Sequence, residues 1–189
     1  MANYIEDEHF EKIDFSEKAL QRGEYENCTF TKCNFSEVDL TGFIFSECEF
    51  VDCNLTMAKI KNTSFKDISF RDCKLLGLHF TESNPFLFSI KLDNCLLNLA
   101  SFYNLSLKKM KFKDCNLQEV DFSEADLSNA VFDNCDLKRA IFDNTNLEKA
   151  DFRTAYNFSI DPENNKIKKA KFSIEGIVGL LHKYNIEIS

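Results

Sequence analysis

Cysteine, histidine and the carboxylates are the residues here with types suited to chemistry, and their spacing decides which chemistry is available. Eight cysteines are present. Cys28 and Cys33 have four residues between them, as do Cys48 and Cys53. Two such pairs superficially resemble a zinc-ligand set. Structural zinc needs converging tetrahedral ligands at tighter local spacing, whereas these cysteines recur along the chain. The three histidines, His9, His79 and His182, are not placed beside a Cys, Ser or carboxylate by any catalytic motif. There is no glycine-rich phosphate loop and no nucleophile elbow. The many Asp and Glu read as solvated surface. The chain is therefore expected to be a non-enzyme with no metal and no cofactor.

Totals narrow the class further. Net charge is −8, which argues against direct nucleic-acid binding, since that needs a basic face. The acid is uneven. Residues 1–55 carry a net −9 and the remainder a net +1. Lysines cluster instead at Lys108, Lys109, Lys111 and Lys113, and at Lys166, Lys168, Lys169 and Lys171. The acidic N-terminal stretch lacks an apolar signal core, and no run approaches 18 apolar residues, so neither a secretory signal nor a membrane span is expected. Cysteines without a signal peptide read as reduced thiols in a cytoplasmic protein.

What positions these residues is a five-residue period. From Phe10 to Phe80 every fifth residue is large and apolar. After a break the series resumes two residues out of phase, at Leu92, and runs to Phe152 without a miss. A slim residue, often Cys or Ala, stands two places before each large one. This is neither the 3.6 of a helix nor the 2 of an ordinary strand. The cysteines Cys33, Cys53, Cys73, Cys95, Cys115 and Cys135 are spaced 20, 20, 22, 20 and 20 apart. Twenty is four fives, so four fives make one coil, and the 22 spans the phase break.

The chain then has four faces. The first stacks the cysteines and, two residues later, Phe15, Phe35, Leu55 and their successors. The second is mainly Phe, from Phe10 to Phe152. The third runs from Leu20 through Phe80 to Phe142. The fourth, holding Tyr25, Phe45, Phe65 and Leu107, is the most mixed. The fold class read from this is an all-β solenoid of about eight coils. With only 5 Gly and 2 Pro, its corners are expected to use conformations that ordinary residues allow.

The segments Ala125-Asp126-Leu127-Ser128-Asn129 and Cys53-Asn54-Leu55-Thr56-Met57 fit the consensus Ala-(Asp/Asn)-Leu-x-x. The chain thus resembles the pentapeptide-repeat proteins over nearly its whole length. That resemblance implies a right-handed quadrilateral β-helix with four repeats per square coil.

Two interruptions stand out. The first is a loop near 81–89 on the fourth face. Its residues Asn84, Pro85, Phe86, Leu87 and Phe88 form the candidate partner-binding loop, with either Phe86 or Leu87 taking the inward place. A bulge tolerated during repeat duplication is the plainer reading; a contact loop on a rigid scaffold is the functional one. The second follows Phe152, where Asn157 and Pro162 fall on central positions. Residues 1–172 are read as the β-helix and residues 173–189 as a capping and dimerisation element. That element is expected to be a short α-helix from Ile174 to Tyr184, N-capped by Ser173, and then a short strand. Its apolar residues Ile174, Ile177, Val178, Leu180, Leu181, Tyr184, Ile186 and Ile188 form the candidate dimer interface.

Within the family, the length, the single interior loop and the closing helix plus strand are most similar to the Qnr-type branch. That resemblance implies an end-to-end homodimer, a rod that mimics DNA in shape and charge, binding to DNA gyrase and topoisomerase IV, and protection against quinolones. The alternative is a structural or interaction scaffold for an unrelated protein partner.

Overall fold

The structure, a computed structural model, describes residues 3–187. Every strand pairing is parallel, and residues pair twenty apart, or twenty-two across the phase break, so each coil lies in register on the next. A four-stranded sheet on the fourth face holds β1 (Asn3–Glu6), β3 (Gly23–Glu26), β5 (Ile44–Ser46) and β7 (Ser64–Lys66). A seven-stranded sheet on the second face runs from β2 (His9–Glu11) through β4 (Thr29–Thr31), β6 (Glu49–Val51), β8 (Ile68–Arg71), β9 (Ile90–Asp93) and β10 (Lys111–Lys113) to β11 (Val131–Asp133). The first and third faces are joined by isolated parallel bridges, such as Asn34 to Asn54 and Asp121 to Ile141.

The period produces this architecture because each fifth side chain fills one quarter of a narrow interior. Phe30, Phe50, Phe70, Phe112 and Phe132 are fully buried. Rings of one column stack face to face: Phe30 on Phe50 at 4.7 Å and Phe112 on Phe132 at 4.9 Å between centroids. These distances match the rise of about 4.8 Å between paired strands. Neighbouring columns meet edge-on, as Phe112 and Phe122 do at 5.7 Å and 80°. Each such pair adds about 0.5–1.5 kcal/mol beyond burial. All eight cysteines are free and buried in the slim inward positions, where Cys acts as a small hydrophobe.

The corners differ from expectation. Nearly every one is turned by a non-glycine residue at positive φ, among them Glu37 (59°), Met57 (54°), Leu99 (62°) and Lys149 (60°). This conformation costs an L-residue roughly 1–2 kcal/mol. The register offsets it at most corners, because the amide of the positive-φ residue donates to the next coil, as Met57 does to Leu76 and Lys109 to Ser128, both at 2.9 Å. Many corners also close a turn, with Ala58 N–H donating to Leu55 C=O at 3.1 Å.

The phase break resolves differently from the sequence reading. Neither Phe86 nor Leu87 takes the inward place; they are 67% and 62% exposed. Phe88 turns inward instead and packs edge-on against Phe80 at 6.1 Å. The reason is register. Leu87 keeps the positive-φ corner position (58°), so the chain points inward again one residue later, and Phe88 and Ser89 absorb the extra length.

The last coil is also rebuilt. Phe158, which lies off the five-residue phase, is buried, as is Ile160 at the slim inward position. Phe158 packs at 5.6 Å from both Phe152 and Phe172. Asn165 is a buried polar centre. Its amide nitrogen donates to Phe142 C=O (3.0 Å) and Asp161 C=O (2.9 Å), and its side-chain oxygen accepts from Thr145 N–H (2.8 Å).

The C-terminal element is built from two 3-10 turns, Glu175–Leu180 and His182–Tyr184, rather than an α-helix. Bonds such as Leu181 N–H to Val178 C=O, at 3.0 Å, span three residues. Gly179 lies so close to the rod that its C=O accepts from Ile160 N–H at 3.0 Å. Asn185, at φ 47°, ends the turn, and no strand follows through Glu187. Ile188 lies outside the described residues.

Gly179 makes this cap possible. A Cβ there would stand 2.5 Å from the Phe158 carbonyl oxygen. Gly179→Ala is expected to destabilise the capped end by about 1–3 kcal/mol. A urea melt reads this as a lowered midpoint; an unchanged midpoint would contradict the close packing.

Candidate functional site: an irregular binding surface

The rod's flat faces repeat, so distinctive surface lies where the repeat is interrupted. Asn84 and Phe88 anchor the interior loop. Asn84 donates to Ser64 Oγ at 3.0 Å, and its side-chain oxygen accepts from Phe86 N–H at 3.0 Å. Between these anchors Pro85, Phe86 and Leu87 are displayed to solvent. On one side of the loop is a depression of about 590 Å³ lined by Glu24, Glu26, Glu47, Asp67 and Leu87. On the other is a groove of about 880 Å³ that includes Phe88, Lys91, Lys108, Lys109, Lys111 and Lys113. The loop thus separates an acidic hollow from a lysine-rimmed one. The sequence reading missed this division because it counted charges along the chain rather than by face.

The candidate interface residues separate into two groups. Ile174, Ile177, Val178, Tyr184 and Ile186 are exposed, Ile174 at 86%. Leu180 packs against the core, and Leu181 is half-buried. Lys183, which the sequence did not single out, clasps the element to the rod. Its Nζ lies 2.7 Å from both Asp161 Oδ1 and Glu163 Oε2. Tyr184 donates to Glu163 Oε1 at 3.0 Å.

Lys183 holds the Asp161 and Glu163 carboxyls below their ordinary range, and they hold its ammonium above its own. A depressed carboxylate contributes stability above its unfolded pKa and loses it as pH falls through the folded value. Lys183 stays charged throughout that range. The clasp should therefore be intact at neutral pH and loosen below about pH 4, the ordinary carboxylate range. Hydrogen exchange of residues 174–184 should quicken relative to the rod between pH 6 and pH 3. Equal pH dependence in Lys183→Met would contradict this role.

The residues singled out first fall elsewhere. Burial pushes the Cys48 thiol up to about 12 and raises Cys28 as well, so both stay protonated. His9, His79 and His182 are exposed and distant in sequence from one another. Among the described residues, no group of three His, Cys, Asp or Glu converges as a metal site, and no helix is long and apolar enough to cross a membrane.

Known proteins place the architecture. Residues 23–102 match a model described as a pentapeptide repeat region, and residues 115–153 one described as pentapeptide repeats. No curated protein matches the sequence. Two solved structures of QnrB1, described as a plasmid-mediated fluoroquinolone resistance protein, align with TM-scores of 0.50 at 22% and 24% identity. They cover 99% and 100% of this chain and 100% and 99% of their own. HetL, a pentapeptide repeat protein involved in heterocyst differentiation regulation from the cyanobacterium Nostoc sp. strain PCC 7120, aligns over 91% of this chain and 88% of its own, at 16% identity and a TM-score of 0.28. The two family matches together span more than half the sequence, and with the square parallel coil they establish that this chain belongs to the pentapeptide-repeat family and folds as its quadrilateral β-helix.

Proposed function

We propose that this chain is a non-catalytic, cytoplasmic protein-binding rod whose partner is a type II topoisomerase, DNA gyrase first, and that it counters quinolones by occupying the enzyme's DNA-binding surface. The observation that carries this reading is the end-to-end match of fold and length with QnrB1, a fluoroquinolone resistance protein. Surface charge supports it. On the third face Asp121 and Glu124 stand on one coil and Asp143 on the next, and among the described residues none of them is ion-paired. A rod about as wide as a duplex with such a strip complements a basic saddle. Eight buried free thiols accord with a reducing cytosol.

Binding to immobilised gyrase tests this directly. Raising salt from about 0.05 M to about 0.3 M should weaken binding at least about tenfold, because exposed charges are screened. Absent or salt-independent binding would contradict the reading.

Under the same proposal, the exposed residues Ile174, Ile177, Val178, Tyr184 and Ile186 join two rods end to end. Ile174→Glu with Ile177→Glu should halve the mass measured by light scattering in high salt. An unchanged mass would remove this segment from the interface.

A second reading, a scaffold for an unrelated protein, is favoured by the lysine-rimmed groove at Lys91, Lys108 and Lys111. A DNA mimic has no need of that feature.

A further inference from the structure

The corner after the fourth face carries one outward residue per coil, each at positive φ: Asp7, Asn27, Glu47, Asp67, Leu87, Lys109, Asn129, Lys149 and Lys169. All nine are exposed. Read along the rod, the column has three acids, then Leu87 at its centre, then three lysines. Its two halves about Leu87 carry opposite net charge, −3 and +3. A half-turn about an axis through Leu87, perpendicular to the rod, sets Asp7 against Lys169, Asn27 against Lys149, Glu47 against Asn129 and Asp67 against Lys109. Leu87 then meets its own copy.

We propose that this column is a self-complementary docking edge on which a second copy of the chain lies antiparallel, with the two-fold axis at Leu87. A two-fold interface must bring each residue's partner to it from the other copy; this column does so with opposite charges at Asp7–Lys169 and Asp67–Lys109 and with a charge against an amide at Asn27–Lys149 and Glu47–Asn129. A second observation points the same way. Among the described residues, none of Asp7, Glu47, Asp67, Lys109, Lys149 or Lys169 makes an intramolecular ion pair, although charges elsewhere do. The pivot is apolar where a two-fold contact needs it, because Phe86 lies exposed beside Leu87.

Eight steps of about 4.8 Å make an edge about 38 Å long, a narrow contact below the roughly 800 Å² per partner of a standard interface and one held by charge at low salt. In the adjacent column Glu6 meets Lys168, but Lys66 meets Lys108 and Glu26 meets Glu148. The corner column, not its neighbour, therefore sets the register. This contact is independent of the topoisomerase reading and separate from the terminal segment.

Leu87 supplies a site-specific test, since the native thiols are buried. With Leu87→Cys in the full chain and diamide as oxidant, the two copies of position 87 should cross-link at low salt. Adding K109E, K149E and K169E, or instead D7K, E47K and D67K, should cut cross-linking at least about tenfold, because like charges then face each other at the 7–169 and 67–109 pairs and the two halves of the column carry the same sign. Mixing the two charge variants should restore it as a heterodimer, with circular dichroism confirming that each is folded. Failure of the parent to cross-link, cross-linking of either variant alone at the parent's level, or a mixture that does not recover would each overturn the proposal. An end-to-end contact through residues 174–186 predicts none of this pattern.

Discussion

Leu137→Asp is expected to unfold the coils around it, at a cost above about 4 kcal/mol. Leu137 is fully buried, two residues from Cys135, and its amide donates to Tyr156 C=O at 3.0 Å. A carboxylate there has no cation and no water, so it bears the full penalty of an unpaired buried charge. Against a total stability of about 5–15 kcal/mol, that loss is enough to populate a partly melted rod. A solenoid transmits the damage, since each coil is stabilised by its neighbours. Burial would raise the new carboxyl's pKa, so the penalty belongs to the ionised form and shrinks as pH falls through the raised value. Urea melts at pH 7 and pH 5 should show a larger deficit at pH 7. Leu137→Met, which keeps the volume, should cost under about 1.5 kcal/mol. A wild-type midpoint for the Asp variant would refute the packing.

The second large effect is expected from Phe112→Ala, at about 3–5 kcal/mol. Phe112 is fully buried, stacked on Phe132 and edge-on to Phe102 and Phe122. Its removal empties one quarter of a coil whose backbone is fixed by β9 and β11 on either side, so the cavity cannot collapse. Phe86→Ala should cost under about 0.5 kcal/mol, as surface substitutions do, because the ring is two-thirds exposed at 67%. Equal costs for the two would mean that the loop ring is part of the core. Partner binding should respond in the opposite order, with Phe86→Ala weakening association while leaving the melt unchanged.

The coil was legible in the sequence because one column, the cysteines twenty apart, recorded its circumference. Everything that keeps the five-residue phase followed, including the stacked rings and the place of the interruption. What escaped were residues that leave the phase. Phe88 fills the interior one position after the Leu87 corner, and Phe158 closes the last coil at a position the period does not mark. The positive-φ corners were misjudged because low glycine content argued against them. The backbone accepts that local cost since most corner amides find a carbonyl on the next coil. The cap became 3-10 turns rather than an α-helix because Gly179 presses its backbone onto Phe158, an approach that depends on tertiary contact. The charge-divided corner was present in the letters. It emerges when the outward positions are read with the same twenty-residue step that revealed the cysteines.

Under the proposed function, recognition falls to the surfaces that the repeat holds rigid: the acidic strip, the displayed loop and the divided corner. The most direct measurement of the functional account is DNA gyrase supercoiling with and without ciprofloxacin. Micromolar protein is predicted to inhibit supercoiling alone or to restore it in the presence of the drug. If it does neither, the rod is not a topoisomerase partner and the scaffold reading takes its place.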